Sequence, residues 1–116
     1  MATSIDNIVS AFIHEAYSRD ITIWNKYSPS LHEPFEKAKE QYPKEMKKFN
    51  FCKRPFNRKL AFYSAELEIS MGRFVNIGVL SLTFGKYEVI DYTKIKEPAK
   101  YLKDIAVYIL DNYKNE

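Results

Sequence analysis

The hydrophobic period of this chain changes partway along, and that change constrains the fold more than any other feature. Near the start, apolar side chains recur every three or four positions. Ile5, Ile8, Val9, Phe12, Ala16 and Tyr17 therefore gather on one face of a helix. Thr3 followed by Asp6 is expected to start that helix in capping-box fashion. The stripe runs on through Ile21 and Trp24 to Tyr27, although the β-branched "ITIW" marks a break after Asp20 as the alternative. Ser30 is expected to cap a second helix, with Glu33 three residues on and Pro34 in the tolerant first turn. Phe35, Ala38 and Tyr42 form its stripe. Pro43 ends or kinks it, and Met46 and Phe49 extend the stripe past the kink.

From residue 60 the period is two. In "LAFYSAELEIS", Ala61, Tyr63, Ala65, Leu67 and Ile69 share one face, while Phe62, Ser64, Glu66 and Glu68 share the other. "RFVNIGVLSLTF" and "KYEVIDYT" read as two further strands, with Gly72 and Gly85 in the connecting turns. Pro98 suits the start of a last helix, whose face Ala99, Leu102, Ile105, Ala106, Ile109, Leu110 and Tyr113 should cover the sheet. The predicted fold is α+β: two N-terminal helices, a three-stranded antiparallel β-meander, and a C-terminal helix packed on one face of the sheet. One domain is expected over 1–116, with a helical half over about 1–50 and the sheet plus C-terminal helix over about 60–116.

Between the two halves lies "KKFNFCKRPFNRK", residues 47–59, in which six of thirteen residues are Lys or Arg and none is acidic. Net charge over the whole chain is +3, yet residues 44–59 hold seven basic residues and one acidic, or +6. A positive excess confined to one stretch says more about partners than the overall charge does. Lys47, Lys48, Lys53, Arg54, Arg58 and Lys59 supply the cations, with Phe51 and Phe56 threaded between them. If this stretch gripped nucleic acid, the two rings would be stacking platforms and the cations would neutralise phosphates. Four such contacts would give a salt slope of about −3.6 on duplex DNA. No helix-turn-helix, KH loop, RNP strand or zinc-finger pattern accompanies the charges. As a plain connector, the same stretch would turn Phe49, Phe51 and Phe62 inward and leave solvated charges around Pro55. As a protein interface, it combines the Arg and aromatic residue types that dominate binding energy.

Other chemistry is sparse. Gly72, Gly78 and Gly85 are too far apart for a phosphate-binding loop. His14-Glu15 and His32-Glu33 are adjacent in sequence, so each pair diverges on a helix, and both histidines read as solvated or helix-terminal. Glu66, Glu68, Glu88 and Asp91 fall on predicted strands, but the acid-x-lysine triplet of strand-built nuclease sites is missing: two residues separate Asp91 from Lys94. Cys52 has cationic neighbours but no histidine beside it in sequence. Tyr101 and Tyr108, seven residues apart, fit packing at the edge of the last helix.

These readings point to a binding protein rather than an enzyme, with no cofactor and no metal site. With a single cysteine, no signal-peptide pattern and no apolar run long enough to span a membrane, the expectation is a cytoplasmic protein that makes no membrane contact. The leading functional expectation is a stoichiometric protein-binding role of the inhibitor or toxin-immunity kind. Lys47, Lys48, Phe51, Lys53, Arg54, Phe56, Arg58 and Lys59 would meet an acidic protein partner, Arg54 and Arg58 contributing most. The alternative is nucleic-acid binding through the same residues. Strand "KYEVIDYT" is a candidate free edge for pairing with a second copy.

Overall fold

The computed structural model describes residues 3–56 and 58–114, and its elements obey local sequence rules closely. Helix α1, Ile5–Ser18, starts one residue later than Thr3 would place it: Ser4 is the cap, its hydroxyl accepting the Asn7 N–H. Ile8, Val9, Phe12, Ile13 and Ala16 face inward. The chain leaves the helix through Asp20, which adopts φ +59, so the β-branched residues beyond it form strand β1, Ile23–Asn25. Helix α2, Glu33–Gln41, has Pro34 in its first turn as expected. Ser30 does not cap it. The Ser30 hydroxyl instead pairs with that of Ser28 in the preceding turn, and His32 occupies the cap position. Past Pro43, Met46 and Phe49 are fully buried, in keeping with their stripe.

The basic stretch and residues 60–76 depart from the predicted meander. Cys52–Phe56 (β2) and Lys59–Tyr63 (β3) form a separate antiparallel hairpin, closed by the pair Phe56–Lys59. The chain then turns into a helix, not a longer strand: α3 spans Ala65–Asn76. Ser64 caps it by accepting the Leu67 N–H, and Leu67, Ser70, Met71 and Phe74 form its buried face at helical spacing. Ile69, which the two-residue period places inside, is 55% exposed, and Ser64, expected outside, is buried. Gly72 lies within this helix, whereas Gly78 (φ +83) ends it. Around Gly78 the Gly78 N–H bonds the Val75 carbonyl and the Val79 N–H bonds the Phe74 carbonyl, the paired closure that a left-handed residue permits.

Strands β4 (Leu80–Thr83) and β5 (Lys86–Val89) form a second hairpin. Its turn residues Phe84 (φ +52) and Gly85 (φ +74) both lie in the left-handed region, the pattern of a tight hairpin turn. The three-stranded antiparallel sheet has the order β1-β5-β4, so "KYEVIDYT" supplies its centre and not a free edge. Helix α4, Lys100–Asp111, buries Leu102, Ile105, Ala106, Ile109 and Leu110 as predicted. It packs mainly on α1 and α2 rather than on the sheet. The core gathers around Phe12, whose ring centroid lies 5.2 Å from Trp24 and 4.9 Å from Phe35. No described helix is long and apolar enough to cross a membrane.

A basic hairpin and the cleft beside it

Six cations clustered along one stretch define the candidate site. Lys47 and Lys48 lie exposed in the turn after α2, Lys53 and Arg54 on β2, and Arg58 and Lys59 where the hairpin turns into β3. Among the described residues, none of the six has a carboxylate within ion-pair distance; Arg19, Lys26, Arg73, Lys94 and Lys100 do, while Lys37, Lys44, Lys86, Lys96 and Lys103, like the six, do not. The aromatic residues of the stretch divide. Phe49 is fully buried, 5.8 Å from Phe35, and Phe51 stacks on Phe49 at 6.2 Å, half-buried against the core. These two anchor the hairpin's approach, and the Lys39 ammonium adds a hydrogen bond to the Phe49 carbonyl.

Pleating sorts the hairpin side chains into two faces. Arg54, Phe56, Ala61 and Tyr63 face one way, toward His32 and α3; Lys53, Pro55, Leu60 and Phe62 face the other. The second face is largely open to solvent, with Leu60 69% exposed. The Lys53 ammonium sits 5.4 Å above the Phe62 ring. Pro55 pairs with Leu60 one step from the closing pair, a position where its nitrogen points away from β3 and no ladder bond is lost. A proline there also blocks further strand addition along β2.

The first face borders a cleft of about 580 Å³ lined by Asn25, Lys26, Tyr27, Arg54, Phe56, Tyr63 and Glu68, with Pro55 at its rim. The Arg54 guanidinium lies over the Tyr63 ring, 4.1 Å from its centroid. The Tyr63 hydroxyl donates to Glu68 Oε2 at 2.6 Å, and Lys26 Nζ lies 3.7 Å from Glu68 Oε1. Burial, then this bond to Glu68, holds the Tyr63 phenol above its usual range. Tyr87, buried on the central strand, is pushed up to about 12, first by burial and then by the Glu68 charge. Both phenols are therefore neutral donors at ordinary pH.

Beneath the hairpin His32 is 2% exposed, so it is helix-terminal as expected but not solvated. Its Nδ1 accepts the Ser64 N–H at 3.1 Å, and its ring lies 4.9 Å from Tyr63 and 6.4 Å from Phe56. Burial lowers its pKa to about 4, so it is a neutral ring that props the hairpin up.

The other candidate groups do not converge. Glu66 and Glu68 lie on α3 rather than on a strand, Glu88 lies on β5, and Asp91 caps the 3-10 turn Tyr92–Lys94. Glu66 is bound by the Asn50 N–H at 2.9 Å. Among the described residues no group of His, Cys, Asp or Glu is arranged to hold a metal ion. The Cys52 thiol is exposed. His14 and Tyr92 rings lie 5.6 Å apart, with Tyr17 stacked on Tyr92 at 4.0 Å. Tyr108 packs edge-on to Tyr42, while Tyr101 is exposed.

Sequence order placed Arg54 and Phe56 together but could not bring in Lys26, Tyr27, Tyr63 and Glu68, which meet only through packing of the hairpin beside the sheet. No protein-family model, curated protein or solved structure matches the chain.

Proposed function

We propose that this chain is a stoichiometric protein-binding protein, of the inhibitor or immunity type, that docks its β2–β3 hairpin on an acidic protein surface and blocks a site there. One observation carries the reading: six cations with no counter-ion among the described residues lie along and beside a hairpin whose outer face exposes Pro55 and Leu60 beside half-buried Phe62. An apolar middle with a charged rim is the usual anatomy of a specific protein interface. Arg54 and Arg58 provide forked donors that grip carboxylates in pairs, and the lysines steer the approach.

The same geometry weighs against single-stranded nucleic acid. Within the stretch, Phe49 is buried, Phe51 lies on Phe49 and Lys53 sits over Phe62, which leaves Phe56 as its one ring at the cleft for a base to stack on. Leu60 at the centre of the exposed face suits an apolar protein contact better than a phosphate backbone.

The discriminating experiment is an anisotropy titration of labelled single-stranded RNA, single-stranded DNA and duplex DNA at about 50 and 200 mM salt. Weak or no binding is expected even at the lower salt. Tight binding that falls steeply with salt and collapses in an Arg54→Ala/Arg58→Ala variant would replace the protein partner with a nucleic acid.

A further inference from the structure

The cleft on the inner side of the hairpin is one negative charge short. Arg54 and Lys26 bring two positive charges and Glu68 one negative, and Lys26 already faces Glu68 at 3.7 Å. Arg54 has no carboxylate partner among the described residues, and its guanidinium carbon sits 4.1 Å above the Tyr63 ring. At about 580 Å³ the cleft is within the range of pockets that enclose a small ligand or a few side chains.

The walls are held in place before anything binds. Tyr63 is tied to Glu68 by its hydroxyl at 2.6 Å. The Tyr27 N–H donates to Asn25 Oδ1 at 2.8 Å, and the Tyr27 ring lies so close to Gly85 that a Cβ there would sit 2.5 Å from Cε2. Despite this seating, Tyr27 is 71% exposed and lines the cleft. An Arg–Tyr pair tied to Glu68, beside an exposed ring seated against Gly85, is a partly preorganised arrangement that loses less freedom on binding.

We infer that this cleft takes an acidic–aromatic segment of the protein partner: one carboxylate on the Arg54 fork, with a neighbouring aromatic ring against Tyr27 and Phe56. The single-charge deficit suits a carboxylate better than a doubly charged phosphate. Glu68 keeps acceptor capacity beyond its bonds to Tyr63 and Lys26, and so suits a segment that also offers an N–H. The inference rests on the reading of the hairpin as a protein-docking element and names the chemistry its partner brings.

The test uses the protein alone, with N-acetyl-Asp-Tyr-amide as probe and backbone amide NMR shifts as the readout. The expected result is saturable shifts at residues 25–27, 54, 56 and 63, with a dissociation constant of about 1 mM. Those shifts should weaken at least tenfold in Arg54→Ala and should be missing with N-acetyl-Lys-Tyr-amide. Arg54 is exposed, and unchanged shifts elsewhere would certify that the variant folds. No shifts at about 20 mM probe would overturn the inference. So would tighter binding of adenosine monophosphate at the same residues, which would make the cleft a nucleotide site. Loss of partner capture in the hairpin variants without probe binding would leave the docking reading standing and remove only the cleft's role.

Discussion

Neutral, buried His32 should make stability fall with acid in a way that one substitution abolishes. In the unfolded chain this histidine titrates near its usual 6.5, whereas burial holds it at about 4 in the fold. A histidine whose pKa is lowered on folding contributes stability that is fully present above the unfolded value and is lost as pH falls toward the folded value. Between about pH 7 and 5 the unfolded state gains this proton and the native state does not, which costs about 2 kcal/mol. Most carboxylates stay ionised over that window, so the histidine dominates the slope. In His32→Asn the amide oxygen takes the place of Nδ1 and still accepts the Ser64 N–H. The variant loses ring packing against Tyr63 and starts less stable by about 1–2 kcal/mol, but it carries no titrating group. Urea unfolding at the two pH values gives both numbers. The wild type should lose about 2 kcal/mol on acidification and His32→Asn less than about 0.5 kcal/mol. Equal losses in the two proteins would show that His32 is not a buried neutral prop.

Further expectations concern the tight turn and the cleft. Phe84 is 99% exposed and holds φ +52, so Phe84→Asn should raise stability by about 1 kcal/mol, read as a higher urea midpoint at unchanged slope. Gly85→Ala should lower stability by about 1–2 kcal/mol and displace the Tyr27 ring, visible in its NMR resonances, because φ there is +74 and the new Cβ meets the ring. Glu68→Gln removes the charge that helps to hold up two neighbouring phenols, so ultraviolet titration should find Tyr87 ionising below about 12 and Tyr63 moving down with it. Unmoved phenols would contradict the placement of Glu68.

The helices whose apolar stripes had no rival period were legible from sequence. Residues 102–110 name their buried face outright, and Met46 and Phe49 continue the α2 stripe beyond Pro43. Residues 60–76 were not, because "LAFYSAELEIS" satisfies alternation while its second half is made of strong helix formers. The deciding signals were Ser64 in front of Ala-Glu-Leu-Glu, the continuation of the face through Met71 and Phe74, and Gly78 as a terminator. Strand β1 is only three residues long, too short for any period to show, and its pairing with β5 is a long-range event. The cations were readable as a run, but their arrangement was not. Alternation along a hairpin splits Lys53 from Arg54, and only tertiary packing sets Tyr27, Tyr63 and Glu68 around Arg54.

The central claim, that the β2–β3 hairpin is a protein-docking element, is tested most directly by affinity capture from the source cells. Wild type, Arg54→Ala/Arg58→Ala, and a charge-matched Lys100→Ala/Lys103→Ala control on α4 would be immobilised at equal density, and the retained proteins quantified. One acidic protein held in a defined ratio by wild type and control, and reduced at least tenfold in the hairpin variant, is the expected result. The same proteins retained in the same amounts by all three would contradict the account.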